Sequence, residues 1–168
     1  MLIPTYYAKS IYDIPIKFYK ENNIKIIFCD LDNTLDPFYV KEPTSKALNL
    51  VQQLKQNDIR LIITSNNHGE RVTRYSKLLG VECHYSSLKP LGYRLRRFIK
   101  NMNFNPDDIV MIGDQILTDI IASKNTKVRS ILTEPAVKGD LPVTRFNRVF
   151  DKIIRKIIKK QLKSREVI

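Results

Sequence analysis

Residues 24–35 run Ile24-Lys25-Ile26-Ile27-Phe28-Cys29-Asp30-Leu31-Asp32-Asn33-Thr34-Leu35. Lys25 apart, the first six are β-branched, aromatic or sulfur-bearing, with no polar alternation. A run of that kind suits a strand covered on both faces, the habit of a central strand in a parallel sheet. It stops abruptly at two carboxylates one residue apart. Taken alone, Asp30 and Asp32 would be read as a turn. The rest of the chain changes that reading.

Working outward, apolar runs and helical spacings alternate. Thr44 to Gln56 has helical spacing at Ala47, Leu48, Val51 and Leu54, with Thr44 as N-cap. Ile59 to Thr64 is a second strand, and Glu70 to Leu79 a helix stopped by Gly80. Val81 to Tyr85 is a weaker strand and Leu91 to Met102 a helix. Asp108 to Ile112 is a strand, followed by a short helix around Asp119 to Ser123 and a last strand at Val128 to Leu132. Val143 to Lys163 has strong helical periodicity. Strands of about five residues alternating with helices predict an α/β fold, a parallel sheet with helices on both faces.

In such sheets ligands bind outside the carboxyl ends of the strands. The residues at those ends are Asp30 and Asp32, Ser65 and Asn66, Lys89 and Pro90, and Gly113 and Asp114, with Asp119 one helical turn further on. Each piece has an ordinary explanation as a turn, a cap or a solvated side chain. Jointly they gather carboxylates, a hydroxyl and an ammonium at one sheet edge. Carboxylates packed together need a compensating cation. Oxygen ligands favour a hard ion, and magnesium typically takes one or two carboxylates plus a substrate phosphate. Lys89 and Ser65 suit the phosphate oxygens, and electrostatic stabilisation of that kind is the main resource of phosphoryl transfer.

Composition narrows the classes. The chain has 168 residues, 43% hydrophobic and 27% charged, which is ordinary for one soluble globular domain. We read residues 1–168 as a single unit, with a core over about 20–135 and a C-terminal helix over about 143–163. No apolar run reaches the roughly 18 residues of a membrane span, and the first ten residues lack a signal pattern. The expected location is the cytoplasm. Cys29 and Cys83 have no metal-type or framework spacing, and Cys29 is expected to fill space inside its strand.

The net charge is +12, and nine of the Lys and Arg residues fall between Arg145 and Arg165 against one acid, Asp151. Phe146, Val149, Phe150, Ile153, Ile154, Ile157, Ile158 and Leu162 form an apolar stripe on the same helix. Two readings stand open. The stripe packs on the sheet and the charges are solvated, or the helix lies on a polyanion. For the second, Arg148, Lys152, Arg155, Lys156, Lys159 and Lys160 are the expected contacts. The polyanion is an anionic membrane, which adds a peripheral position on its inner face, or, less well supported, RNA or a ribosome. Tyr6, Tyr7, Tyr12 and Tyr19 either anchor at an interface or cover the core.

The strand-end set resembles the haloacid dehalogenase (HAD) superfamily of phosphatases. Its Asp-x-Asp-x-Thr is matched by Asp30, Asp32 and Thr34, its Ser or Thr by Ser65, its Lys by Lys89, and its Gly-Asp with a further Asp by Gly113, Asp114 and Asp119. With Ser65-Asn66-Asn67, Lys89-Pro90-Leu91-Gly92, Gly113-Asp114-Gln115, Thr118-Asp119 and Thr144-Arg145-Phe146-Asn147-Arg148, it looks like the YqeG-type phosphatases of subfamily IIIA. That group is similar to the phosphatidylglycerophosphate phosphatases.

The resemblance implies a Rossmann-like, HAD-like fold and a magnesium-dependent phosphomonoester hydrolase with an aspartyl-phosphate intermediate. Asp30 is then the nucleophile and Asp32 the acid and base. Ser65 and Lys89 complete the catalytic set. Magnesium is held by the Asp30 carboxylate, the Asp32 carbonyl and Asp114. Asp119 orients Lys89 or holds a metal-bound water, and Asn66 either supports the site from behind or adds a phosphate contact. Spacing predicts a capless, open site, because only one helix and one strand fit between Ser65 and Lys89. The leading substrate is phosphatidylglycerophosphate. The alternatives are small soluble phosphates, or a basic RNA- or ribosome-assembly-associated interaction protein on the same fold.

Rival motifs fail on particular residues. A calcium loop starting at Asp30 would meet Leu35 where glycine is needed and Lys41 where the bidentate acid is needed. No Gly-x-x-x-x-Gly-Lys occurs. A receiver module would want a carboxylate where Ser65-Asn66-Asn67 stands. His68 and His84 are isolated and are expected to be surface or core residues rather than ligands.

Overall fold

The structure is a computed structural model that describes residues 2–66, 69–137 and 145–167, with the side chains of residues 145–147 not described. Asn67, His68, Val143 and Thr144 lie outside the described residues, as do the side chains of Arg145, Phe146 and Asn147. The elements in chain order are β1 (Tyr6–Ala8), α1 (Ile16–Glu21), β2 (Ile26–Cys29), α2 (Ser45–Lys55), β3 (Arg60–Thr64), α3 (Glu70–Leu79) and β4 (Glu82–His84). After them come α4 (Tyr93–Asn101), β5 (Ile109–Gly113), α5 (Ile121–Thr126), β6 (Arg129–Thr133), α6 (Arg145–Ile157) and α7 (Lys159–Lys163).

The strands form one sheet in the order β1-β6-β5-β2-β3-β4, every pairing parallel. The uninterrupted apolar run of β2 has its explanation in the two layers. Ile27 and Cys29 face one core with Leu61, Ile63, Val110 and Ile112, under α2 and α3. Ile26 and Phe28 face the other with Ile62, Ile109 and Met111, under α4 and α5. Cys29 is fully buried in the strand, as its position implied. Lys25, the exception in the run, precedes the strand; its ammonium pairs with Asp108 at 2.9 Å.

Local signals account for several boundaries. Thr44 accepts from the Ala47 N–H at 3.3 Å and opens α2. Gly80 closes α3 in the left-handed conformation, φ 70°, where a side chain is costly. Leu48, expected on the buried face of α2, is 46% exposed, and Leu50 is buried instead. The helix turns its Ala47, Leu50, Val51 and Leu54 stripe to the sheet.

Two elements had no sequence expectation. β1 has three residues and α1 six, too few for periodicity to register. The tyrosines around them belong to the fold. Tyr19 is fully buried. The hydroxyls of Tyr6, Tyr7 and Tyr12 donate to Asn22 Oδ1, Glu134 Oε1 and the Leu35 carbonyl.

The C-terminal helix expected as one piece breaks at Ile158 into α6 and α7. Its wide stripe also divides. Ile154, Ile158 and Leu162 pack against Ile116, Ile120 and Leu132, whereas Val149, Phe150, Ile153 and Ile157 stay on the outside, 44–73% exposed. One helix cannot turn so broad a stripe to one neighbour. The segment after α7 then runs beside β1, with the Tyr7 N–H donating to the Arg165 carbonyl and the Val167 N–H to the Tyr7 carbonyl, both 2.8 Å.

Candidate active site

The chain builds outward in two directions from the centre of the sheet. β2, β3 and β4 lie to one side, and β5, β6 and β1 to the other. The reversal falls between β2 and β5, the kind of switch point at which open α/β sheets bind ligands. Asp30 follows β2 there, its N–H donating to the Ile112 carbonyl of β5 at 2.9 Å. A tight loop turns the chain back. Asn33 adopts φ 65°, which asparagine tolerates, and the Leu35 and Asp36 N–H groups both donate to the Leu31 carbonyl. Asp36, buried, accepts from the Thr44 N–H, the Thr44 hydroxyl and the Tyr75 hydroxyl, so the loop is tied to α2 and α3.

Lys89 is the hub. Its ammonium, almost wholly buried, donates to Asp30 Oδ1 at 2.6 Å, Asp119 Oδ1 at 2.7 Å and the Thr64 carbonyl at 2.9 Å. Three donors meet three acceptors, so the cation is fully satisfied. Burial works against the Lys89 charge, but Asp119 and Asp30 outweigh it and hold its pKa above the ordinary lysine value. Burial pushes the Asp30 carboxyl well up; Lys89 counteracts this, while Asp119, Asp114 and Asp32 add to it.

The other carboxylates have defined partners. Asp32 Oδ1 accepts from Arg71 Nη1 of α3 at 2.6 Å, and Arg71 Nη2 donates to the Val40 carbonyl. Asp114, fully buried, accepts from the Thr34 hydroxyl on Oδ1 at 3.2 Å and from Arg148 Nη2 on Oδ2 at 2.7 Å. Burial raises its pKa to about 6, against the pull of Arg148. Asp119 Oδ2 accepts from the Gln115 N–H, and its carboxyl lies against Gly113, where a Cβ would stand 2.1 Å from Asp119 Cγ. Only glycine lets that carboxylate reach Lys89.

Each strand-end residue named from the sequence is therefore at this edge. Ser65 is buried directly after β3. Asn66, expected either to support the site from behind or to add a phosphate contact, clasps the Lys89 backbone, its Nδ2 donating to the carbonyl at 2.9 Å and its Oδ1 accepting from the N–H at 2.8 Å. Two of the six expected polyanion contacts are elsewhere than expected: Arg148 and Arg155 point into the site. Arg155 Nη2 donates to the carbonyls of Asp114 and Thr133 at 2.7 and 2.8 Å. Their spacing put them on a polar helix face, and that face turned out to contain the buried Asp151 that pulls it inward. Lys152, Lys156, Lys159 and Lys160 are exposed. Arg71 had no sequence signal, being one of several charges on α3.

The residues suit a magnesium ion. Asp114 lies close enough for its charge to be felt by the Asp30 carboxyl. Two carboxylates and a carbonyl are the sparse all-oxygen set that magnesium accepts while keeping water and phosphate ligands. Among the described residues no three acidic, imidazole or thiol side chains form a ready cage; Lys89, Arg71 and Arg148 already lean on Asp30, Asp32 and Asp114.

The sequence profile of the haloacid dehalogenase-like hydrolases matches residues 36–126, more than half of the chain. The chain belongs to that family. The matched segment holds Ser65, Lys89, Asp114 and Asp119, and begins after Asp30 and Asp32. A curated relative, the probable phosphatase YqeG of Bacillus subtilis, is 34% identical over 159 residues, 95% of this chain and 92% of its own length. Solved structures of other HAD enzymes share the fold. The putative 3-deoxy-D-manno-octulosonate 8-phosphate phosphatase of Vibrio cholerae superposes with TM-score 0.56 at 14% identity, covering 87% of this chain and 93% of its own. The 3-deoxy-D-manno-octulosonate 8-phosphate phosphatase of Moraxella catarrhalis, in complex with magnesium, phosphate and a KDO molecule, gives 0.53 at 19% identity, over 83% and 91%. The chain is thus a HAD hydrolase of the phosphatase kind. No helix among the described residues is long and apolar enough to cross a membrane.

Proposed function

We propose that this chain is a magnesium-dependent phosphomonoester hydrolase acting through an aspartyl-phosphate on Asp30, with phosphatidylglycerophosphate as its leading substrate. The observation that carries the mechanism is the buried Lys89 ammonium bonded to both Asp30 and Asp119. It holds the Asp30 carboxylate in place and keeps positive charge where a phosphoryl group would arrive. An Asp30 oxygen attacks phosphorus, the bond to the leaving oxygen breaks, and that oxygen takes a proton from Asp32. Asp32 then takes a proton from water as the water attacks phosphorus, releasing inorganic phosphate and restoring Asp30. Magnesium, when bound by the Asp30 and Asp114 carboxylates and the Asp32 carbonyl, supplies charge against the phosphoryl oxygens. Ser65 bonds one of those oxygens.

Two features favour a lipid-borne phosphate. Among the described residues, a loop joins Asp30 to α2, and α3 and β4 are the regular elements between Ser65 and Lys89, so a large head group meets no inserted cap there. The exposed Val149, Ile153 and Ile157 of α6 are flanked by Lys152 and Lys156, the pattern of a helix face resting on an anionic bilayer. Lys9, Lys152, Lys156, Lys159 and Lys163 also line a cavity of about 510 Å³ that would take another polyanion, so RNA is the rival occupant.

A substrate panel tests this. Phosphatidylglycerophosphate in anionic vesicles, an aryl phosphate, sugar phosphates and 3′-phosphorylated RNA are compared with magnesium present. The lipid should have the highest kcat/KM, and Asp30→Asn should lose all turnover. Preference for a sugar phosphate would refute the lipid assignment, and no magnesium-dependent turnover on any member would refute the mechanism.

A further inference from the structure

The inner face of α6 is polar where a helix packed on a core is usually apolar. Arg148, Asp151 and Arg155 fall at i, i+3 and i+7, on one side of the helix. Asp151 is fully buried, and its Oδ1 accepts from the Ile116 N–H at 2.9 Å and the Leu117 N–H at 3.3 Å. Burial raises its pKa, against Arg155 and those two N–H groups. Arg155 holds the Asp114 carbonyl. Arg148 grips Asp114 at both ends, Nη2 on the carboxylate at 2.7 Å and Nη1 on the backbone carbonyl at 3.3 Å. All three side chains of one helix thus converge on the loop that follows β5.

We propose that Arg148 is a positioning residue for Asp114. By bridging the carboxylate and the carbonyl of the same residue, it fixes the Asp114 side chain and leaves Oδ1 as the oxygen presented to magnesium. This rests on the reading of Asp114 as a magnesium ligand. Oδ2 is taken by a cation, while the neighbour of Oδ1 is a neutral hydroxyl, Thr34, at 3.2 Å. Magnesium demands near-ideal octahedral placement of its oxygens, so a carboxylate free to rotate is a poorer ligand. Groups that orient metal ligands typically contribute 10- to 100-fold in metal affinity. A guanidinium also repels a cation, and the experiment decides between fixation and repulsion by the sign of the effect.

Magnesium binding is measured by isothermal titration calorimetry without substrate, on the parent chain, Arg148→Ala, Arg148→Lys and Asp114→Asn. Circular dichroism and thermal melts confirm folding. Arg148→Ala should bind magnesium about tenfold more weakly. Arg148→Lys, which can reach one acceptor but not both, should recover part of the loss. In turnover of an aryl phosphate, Arg148→Ala should need more magnesium yet regain most of its kcat at saturation. Unchanged or tighter magnesium binding in Arg148→Ala, with binding weakened in Asp114→Asn, overturns the proposal. If Asp114→Asn binds magnesium like the parent, the ligand reading itself fails and the proposal falls with it. If the alanine variant does not fold, Arg148→Lys decides, and parental affinity there overturns the proposal.

Discussion

At the residue scale the site is a set of charges that stabilise one another only as a group. Lys89 is buried and has three acceptors, two of them carboxylates that are themselves largely out of water. Replacing one member of a buried pair leaves the other uncompensated, at a cost of about 3–5 kcal/mol. Lys89→Met should therefore abolish turnover and also lower the urea midpoint by an amount corresponding to about 3–5 kcal/mol. Parental stability in that variant would mean that Asp30 and Asp119 do not depend on the ammonium. The residues of this group were legible because each follows a strand, and strand ends are where α/β sheets bind ligands. Arg71, Arg148 and Arg155 were not. They come from α3 and α6 across long stretches of chain, and no spacing marks which arginine on a charged face turns inward. Asn66 was legible as a site residue but its partner was not, since that partner is a backbone and a backbone carries no sequence signal.

At the scale of elements, the strands and helices from β2 to β6 followed from periodicity and from caps such as Thr44 and Gly80. β1 and α1 escaped because three and six residues carry too little pattern. α6 is the instructive element. Its breadth of apolar residues was visible in the sequence, but not its division. The side with Ile154 packs on the core, held by Arg148, Asp151 and Arg155, and the side with Ile153 and Ile157 is left out. That outer side makes a prediction separable from catalysis. The double variant Ile153→Glu, Ile157→Glu should sediment less with anionic vesicles while hydrolysing a soluble aryl phosphate at the parental rate. Undiminished vesicle binding would remove α6 from any membrane contact.

At the scale of the molecule, one topological fact organises the rest. The sheet grows both ways from the β2–β5 boundary, and the site takes Asp30 and Asp32 after β2, Ser65 after β3, Lys89 after β4, and Asp114 and Asp119 after β5. The chain then returns after β6, places α6 against the loop that bears Asp114, and ends beside β1. Parallel strand order supplies the convergence, and the buried carboxylates take their compensating cations from three places: Lys89 after β4, Arg71 of α3, and Arg148 and Arg155 of the C-terminal helix. The proposed mechanism stands on Asp30 as the carrier of the phosphoryl group. Its most direct test is to quench the protein with acid during magnesium-dependent turnover of an aryl phosphate and locate phosphate on its peptides by mass spectrometry. Acid-stable, base-labile phosphate is expected on the peptide containing Asp30 and absent from Asp30→Asn. Phosphate on another residue, or turnover retained by Asp30→Asn, would contradict that mechanism.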